Sequence, residues 1–207
     1  MKIYDITATI SDDLPVYGDE RFTVNKVASI KTGDKFNFTK FAATTHTGTH
    51  ADMPSHFIAD GATCDNIDLS HFYGRAKLIR IAATAHVTKE DLLTYDIPEG
   101  IILLIDLGQS KDMSRGTMNK NFLALMPCAA HYLVEKRVKT VGIDCLSVDP
   151  YGDDDYPAHM TLLGNGIAIL EGLVLDSVPE GEYTLCALPL KFHEGDGSPV
   201  RAVLTAL

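Results

Sequence analysis

Three compact apolar runs, Lys77–Ala82, Ile101–Asp106 and Thr140–Asp144, constrain this chain most. Each is short, apolar and bounded by polar or turn residues, the pattern of a buried strand. Other β-rich runs surround them. Lys2–Ile10 alternates up to a Ser-Asp-Asp-Leu-Pro break, and Phe22–Ile30 and Phe36–Thr45 flank a Lys-Thr-Gly-Asp turn signal. Gly166–Glu171, Tyr183–Leu190 and Val200–Ala206 complete the set. Helices are fewer. Thr88 suits the N-cap of a helix over Lys89–Tyr95, with Glu90 and Asp91 at its positive end. Pro127 suits the first turn of a helix running to about Val138, and Met118–Leu125 is expected to form a shorter one. The expectation is an α/β fold with a mixed β-sheet core and few helices. With 207 residues and no repeat, linker or low-complexity segment, it is a single domain over residues 1–207.

Composition removes several function classes. At 45% hydrophobic and 22% charged residues the chain is ordinary globular material, not disordered, collagenous or coiled-coil. A net charge of −10 argues against a nucleic-acid partner. No apolar run reaches the 18 residues a membrane helix needs, and no basic-then-apolar leader opens the chain. The four cysteines form no C-x-x-C pair, so they are expected to be reduced, buried and apolar in a cytoplasmic protein.

The eight histidines are not scattered. His46, His50 and His56 fall within the segment Thr45-His46-Thr47-Gly48-Thr49-His50-Ala51-Asp52-Met53-Pro54-Ser55-His56, a His-x3-His-x-Asp-x3-His pattern. Imidazole and carboxylate are ligands for zinc and for harder divalent ions. Gly48, three threonines and Pro54 oppose a helix, and the glutamate of H-E-x-x-H is missing. In an extended chain all four polar residues share one face. A straight strand would separate His46 from His50 by roughly 13 Å, so a bend at Gly48 is required before they can share an ion. His50 and Asp52, two apart, can do so directly. His71, His86 and His131 are read as surface or satisfied core residues, and Asp153-Asp154-Asp155 as a solvated loop. Further ligands must come from elsewhere. Gly164-Asn165-Gly166 lets the chain turn back and bring His159 near Glu171, which is either a surface residue at a strand end or a buried ligand.

The histidine segment resembles the signature of the metal-dependent cyclase family, which includes bacterial kynurenine formamidase (arylformamidase) and isatin hydrolase. The pattern His-x-Gly-Thr-His-x-Asp-x-Pro-x-His is matched at every fixed place. Supporting blocks are Tyr4-Asp5-Ile6-Thr7, Leu14-Pro15-Val16-Tyr17, Gly142-Ile143-Asp144, Ser147-Val148-Asp149-Pro150, Ala158-His159, Leu162-Leu163-Gly164, Ile169-Leu170-Glu171 and Gly195–Ala202. The resemblance implies a swivelling β/β/α fold, a homo-oligomer (dimer or tetramer), and one or two Zn²⁺ per subunit, with Mn²⁺ an alternative. It implies that His46, His50 and Asp52 hold a first ion, and that Asp52 and Glu171 bridge to a second, held also by His159. It makes His56 the general acid/base.

The implied activity is hydrolysis of small aryl amides, N-formylkynurenine to kynurenine and formate above all, a step of tryptophan catabolism. A divalent ion acidifies water and polarises the carbonyl, while His56 passes a proton from water to the leaving nitrogen. One departure bears on the substrate. The family's formamidases carry a tryptophan in the N-terminal loop against the aromatic substrate. This chain has no tryptophan, and Tyr17 is the nearest match for substrate binding. The alternatives are a manganese-dependent hydrolase of a cyclic amide such as isatin and, in another class, a non-catalytic metal-binding protein.

Overall fold

The computed structural model describes residues 2–18, 20–114 and 118–206. The buried runs of the sequence become the centre of a nine-stranded sheet of order β1-β11-β9-β5-β6-β7-β8-β4-β10. The strands are β1 (Ile3–Asp5), β4 (His50–Asp52), β5 (Tyr73–Arg80), β6 (Ile102–Asp106), β7 (Thr140–Ile143), β8 (Ala168–Glu171), β9 (Gly181–Cys186), β10 (Gly197–Pro199) and β11 (Val203–Ala206). β5 to β8 run parallel, with Leu78, Leu104, Gly142 and Leu170 side by side, and the flanking pairs are antiparallel. Helices α1 (Lys89–Leu92), α2 (Pro127–Glu135) and α3 (Pro157–Gly164) make the crossovers.

Period-two alternation divides the core. Ile79, Leu103, Ile105, Val141, Ile143 and Ile169 face the helices, against Leu92, Ala129, Leu133 and Leu162. Leu78, Ile102, Leu104, Ala168 and Leu170 face the other way. Among the described residues no helix covers that side. The sheet curls, and Ile6, Ala51, Met53, Val200 and Leu204 from its own outer segments close over it.

The helices differ from expectation in four places. α1 ends at Leu92, although its capping box is present, with Asp91 accepting the Thr88 backbone N–H at 2.8 Å. α2 stops at Glu135. Met118–Leu125 is not helical, because its backbone N–H groups are taken from outside: Leu123 donates to Gln109 Oε1 and Ala124 to His86 Nδ1. α3 was not anticipated at all. All four cysteines are free, as expected, but Cys128 is exposed and Cys186 only half-buried.

β2 (Thr23–Ala28) and β3 (Phe38–Ala42) form a separate two-stranded ribbon standing off the body. Phe36, Phe38, Phe41, Val24, Val27 and Ile30 on or beside it are exposed. Among the described residues no helix is long and apolar enough to cross a membrane.

Candidate metal centre

Strand β4 lies between β8 and β10, and this places the site. In that register His50 stands directly opposite Glu171, the last residue of β8. Ala51 and Met53 point into the core, so His50 and Asp52 share the opposite face. The bend that the spacing demanded is present, with Gly48 at φ 67°. It folds His46 back onto Asp52, Nδ1 to Oδ1 at 2.8 Å. The turn is packed against Gly172 (φ 64°), where a Cβ would fall 2.5 Å from the Gly48 carbonyl oxygen. Only glycine permits that approach, and the same oxygen accepts the Nδ1–H of His50 at 2.8 Å. Beyond β4, Pro54 opens a 3-10 turn that ends on His56.

The structure brings His46, His50, Asp52, His56, His159 and Glu171 into one cluster, four of them buried to 4% exposure or less. The spacing within the buried part fits a metal better than hydrogen bonding. His50 Nε2 is 3.4 Å from both Asp52 Oδ1 and Glu171 Oε2. His159 Nε2 is 3.3 Å from Glu171 Oε1 and 3.6 Å from Asp52 Oδ2. These are long for charged hydrogen bonds. Two donors each about 2.1 Å from one tetrahedral ion lie about 3.4 Å apart. Asp52 Oδ2 is buried without a hydrogen-bond partner, an arrangement costly unless a cation meets it. Each carboxylate thus turns one oxygen toward His50 and the other toward His159. His46 stands apart, since its 2.8 Å contact with Asp52 is a hydrogen bond.

Charge follows the same geometry. Burial opposes ionisation of Asp52 and Glu171, yet the surrounding imidazoles outweigh it and hold both carboxyls below their ordinary range. Burial also opposes protonation of His46, but Asp52 and Asp196 lift its pKa to about 9. His159 is raised in the same way by Asp149, Asp52 and Glu171. His56 differs: burial, with the positive charge of His46 and His159, holds it below the ordinary imidazole value.

Two further carboxylates, to which the histidine spacing does not point, touch this cluster. Asp196 Oδ2 lies 3.1 Å from His46 Nε2 and 3.5 Å from His56 Nδ1, and Thr45 Oγ1 donates to its other oxygen. Asp149 Oδ2 lies 2.6 Å from His159 Nδ1. His50 and His159 are therefore each held at one ring nitrogen by an outer oxygen, as metal-bound imidazoles are, while His46 meets a carboxylate at both. Both aspartates sit in segments that resemble the family, but their partners are 10 and 150 residues away, and nothing local marks them.

A cavity of about 540 Å³ opens onto the cluster, a size suited to a small ligand. His46, His50, His56, His159 and Glu171 line its floor, and Tyr17, Phe57 and Tyr156 its walls. Tyr17 therefore belongs to the chain's own pocket, where its ring lies 5.5 Å from that of Tyr151.

The chain is similar to known proteins in both sequence and fold. The sequence profile of the cyclase family, described as "Putative cyclase", matches residues 4–150. The chain is 34% identical over 209 residues to kynurenine formamidase of Delftia acidovorans, covering 100% of this chain and 98% of that protein. Its fold matches a protein described as a predicted metal-dependent hydrolase from Bacillus stearothermophilus, with TM-score 0.86 and 33% identity over 98% and 97% of the two chains. It also matches isatin hydrolase A from Labrenzia aggregata bound to benzyl benzoate, with TM-score 0.87 and 28% identity over 98% and 93%.

Proposed function

The chain belongs to the cyclase family and is a metal-dependent amidohydrolase of carbon–nitrogen bonds other than peptide bonds, and from that premise we propose that it hydrolyses N-formylkynurenine to kynurenine and formate. One observation carries the reading: a buried His-Asp-Glu-His cluster with an unpartnered carboxylate oxygen forms the floor of an aromatic-walled cavity.

His46, His50, Asp52, His159 and Glu171 would hold one or two divalent ions, Zn²⁺ by the proposal and Mn²⁺ as the alternative. Such an ion, when bound, supplies Lewis acidity and lowers the pKa of water. The chain's own residues do the rest. Tyr17, Phe57 and Tyr156 offer the aryl ring apolar faces and keep bulk water from it. His56 reaches the cavity from its 3-10 turn, stacked on His46 with ring centroids 4.0 Å apart. It takes a proton from the attacking water and returns it to the nitrogen of the breaking C–N bond, so that the amine leaves neutral. Asp196 beside His56 and His46 holds the two rings in register.

Replacing His56 by Ala is expected to lower kcat by about 100- to 10,000-fold with metal content unchanged. His56 also lies within ligand reach of His46 and Asp52, so loss of metal in this variant would make it a ligand, and full activity would remove it from the mechanism. A second substrate, isatin, is favoured by the missing tryptophan and by the likeness to isatin hydrolase A. Relative kcat/KM for the two compounds decides between them.

The protein is proposed to act in the cytoplasm as a homo-oligomer. A two-stranded ribbon is at best marginal in water on its own. Here Phe41 is 71% and Phe36 60% exposed. Residues 21–42 carry five Lys and Arg side chains against one Asp, in a chain of net charge −10. An apolar, basic arm on an acidic body suits a second copy of the same chain. Light scattering is expected to give a mass two or four times 22.5 kDa, and Phe41→Asp to lower it. A monomeric wild-type protein would contradict this.

A further inference from the structure

Helix α3 starts in an unusual way. Its N-cap, Tyr156, is left-handed at φ 46° and gives no side-chain cap, and Pro157 has no N–H to offer. The first free N–H groups, those of Ala158 and His159, both go to Asp149. Ala158 donates to Oδ1 at 2.7 Å and His159 to Oδ2 at 3.0 Å. The same Oδ2 lies 2.6 Å from His159 Nδ1. Asp149 is 1% exposed and lies seven residues before the N-cap, so it reaches the helix from the β7–α3 connection.

Ionised carboxylates offer only acceptors. Nδ1 of His159 must then carry hydrogen in this contact, and in the neutral ring that a metal binds the lone pair falls to Nε2. That nitrogen is the one facing Glu171 Oε1 and Asp52 Oδ2. The neighbouring residue serves a carboxylate of the same cluster, since the Val148 N–H donates to Glu171 Oε1, the oxygen that faces His159, at 2.7 Å. One turn, Ser147–Asp149, therefore sets both a histidine and a carboxylate of the site.

We propose that Asp149 is a positioning residue: by capping α3 and accepting the Nδ1–H of His159 with one carboxylate, it fixes that ring so that only Nε2 is presented to the metal centre. The inference rests on reading the cluster as a metal site. An ordinary helix cap would need the two backbone bonds alone. The third, to the ring, ties the cap to ligand geometry.

In Asp149→Asn the amide oxygen keeps the Ala158 cap bond of Oδ1, while both bonds of Oδ2, to the His159 backbone N–H and to its ring, are lost. The amide N–H₂, set where Oδ2 was, opposes the Nδ1–H and favours the other tautomer, with hydrogen on Nε2. Zn²⁺ affinity, measured by competition with a chromophoric chelator, is expected to fall by about 10- to 100-fold. Melting in excess EDTA should stay within a few degrees of wild type. Unchanged Zn²⁺ affinity in the folded variant overturns the proposal and leaves Asp149 a helix cap. Should the variant not fold, nitrogen-15 spectra of the Zn²⁺-loaded wild type give the answer. A slowly exchanging Nδ1–H with Nε2 coordinated is expected for His159, and coordination through Nδ1 overturns it. Failure of the wild type to bind Zn²⁺ at all would instead remove the metal reading beneath it.

Discussion

Asp52→Asn is expected to abolish metal binding and to lower activity to the level of the chelated wild type. Asp52 is the one side chain that every other part of the cluster meets. It bonds His46 at 2.8 Å and turns its two oxygens toward His50 and His159. Among the described residues it belongs to both groups of possible ligands, one with His46 and His56, the other with His50 and Glu171. Loss of an outer-shell partner alone costs about 10- to 100-fold in metal affinity. A carboxylate shared between the two halves should cost more. Asn keeps the shape and so the packing of β4 between β8 and β10, while the negative charge is gone. Metal content after dialysis against a metal buffer, with circular dichroism to show the fold retained, checks this. Stoichiometric metal in the variant would contradict it.

Metal removal is expected to have the largest effect on stability. A ligand that binds only the folded state at 1,000 times its Kd adds about 4 kcal/mol. For a chain of this size each kcal/mol moves Tm by about 2–4 °C, so EDTA should lower Tm by roughly 10 °C. The physical source is visible in the buried group. His50, Asp52, His159 and Glu171 are at most 4% exposed, and Asp52 keeps one oxygen without a hydrogen bond. Differential scanning calorimetry with and without EDTA measures the shift. Asp52→Asn should show none of it, which ties the stabilisation to this site and not to metal bound elsewhere.

Much of this was legible in the chain. β6 and β7 matched their apolar runs closely because both lie inside a parallel sheet, where every residue is buried and no alternation is needed. Strand β4 is only three residues long and was visible through its ligand spacing, not through hydrophobicity. The bend at Gly48 followed from simple reach, since two groups roughly 13 Å apart cannot share an ion. Glu171 could not be decided from its own neighbourhood. Its partner in the register is His50, 121 residues earlier, and local pattern carries no record of a pairing so distant.

What escaped was long-range hydrogen bonding. Helix α3 has its cap at Asp149, outside the window in which caps are sought. Met118–Leu125 reads as a short helix, but the backbone there is committed to Gln109 and His86. Asp196 belongs to the site through contacts with residues 140 and 150 positions before it. In each case the deciding partner is a side chain brought in by topology, and tertiary structure overrides the local preference.

Formate release from N-formylkynurenine, followed before chelation, after metal has been stripped, and after Zn²⁺ or Mn²⁺ is returned, shows whether the protein hydrolyses this amide and needs a metal to do so. The expected result is hydrolysis by the purified protein, its loss on chelation, and its recovery with at most two ions per chain. Hydrolysis that persists undiminished in the stripped protein would contradict the account.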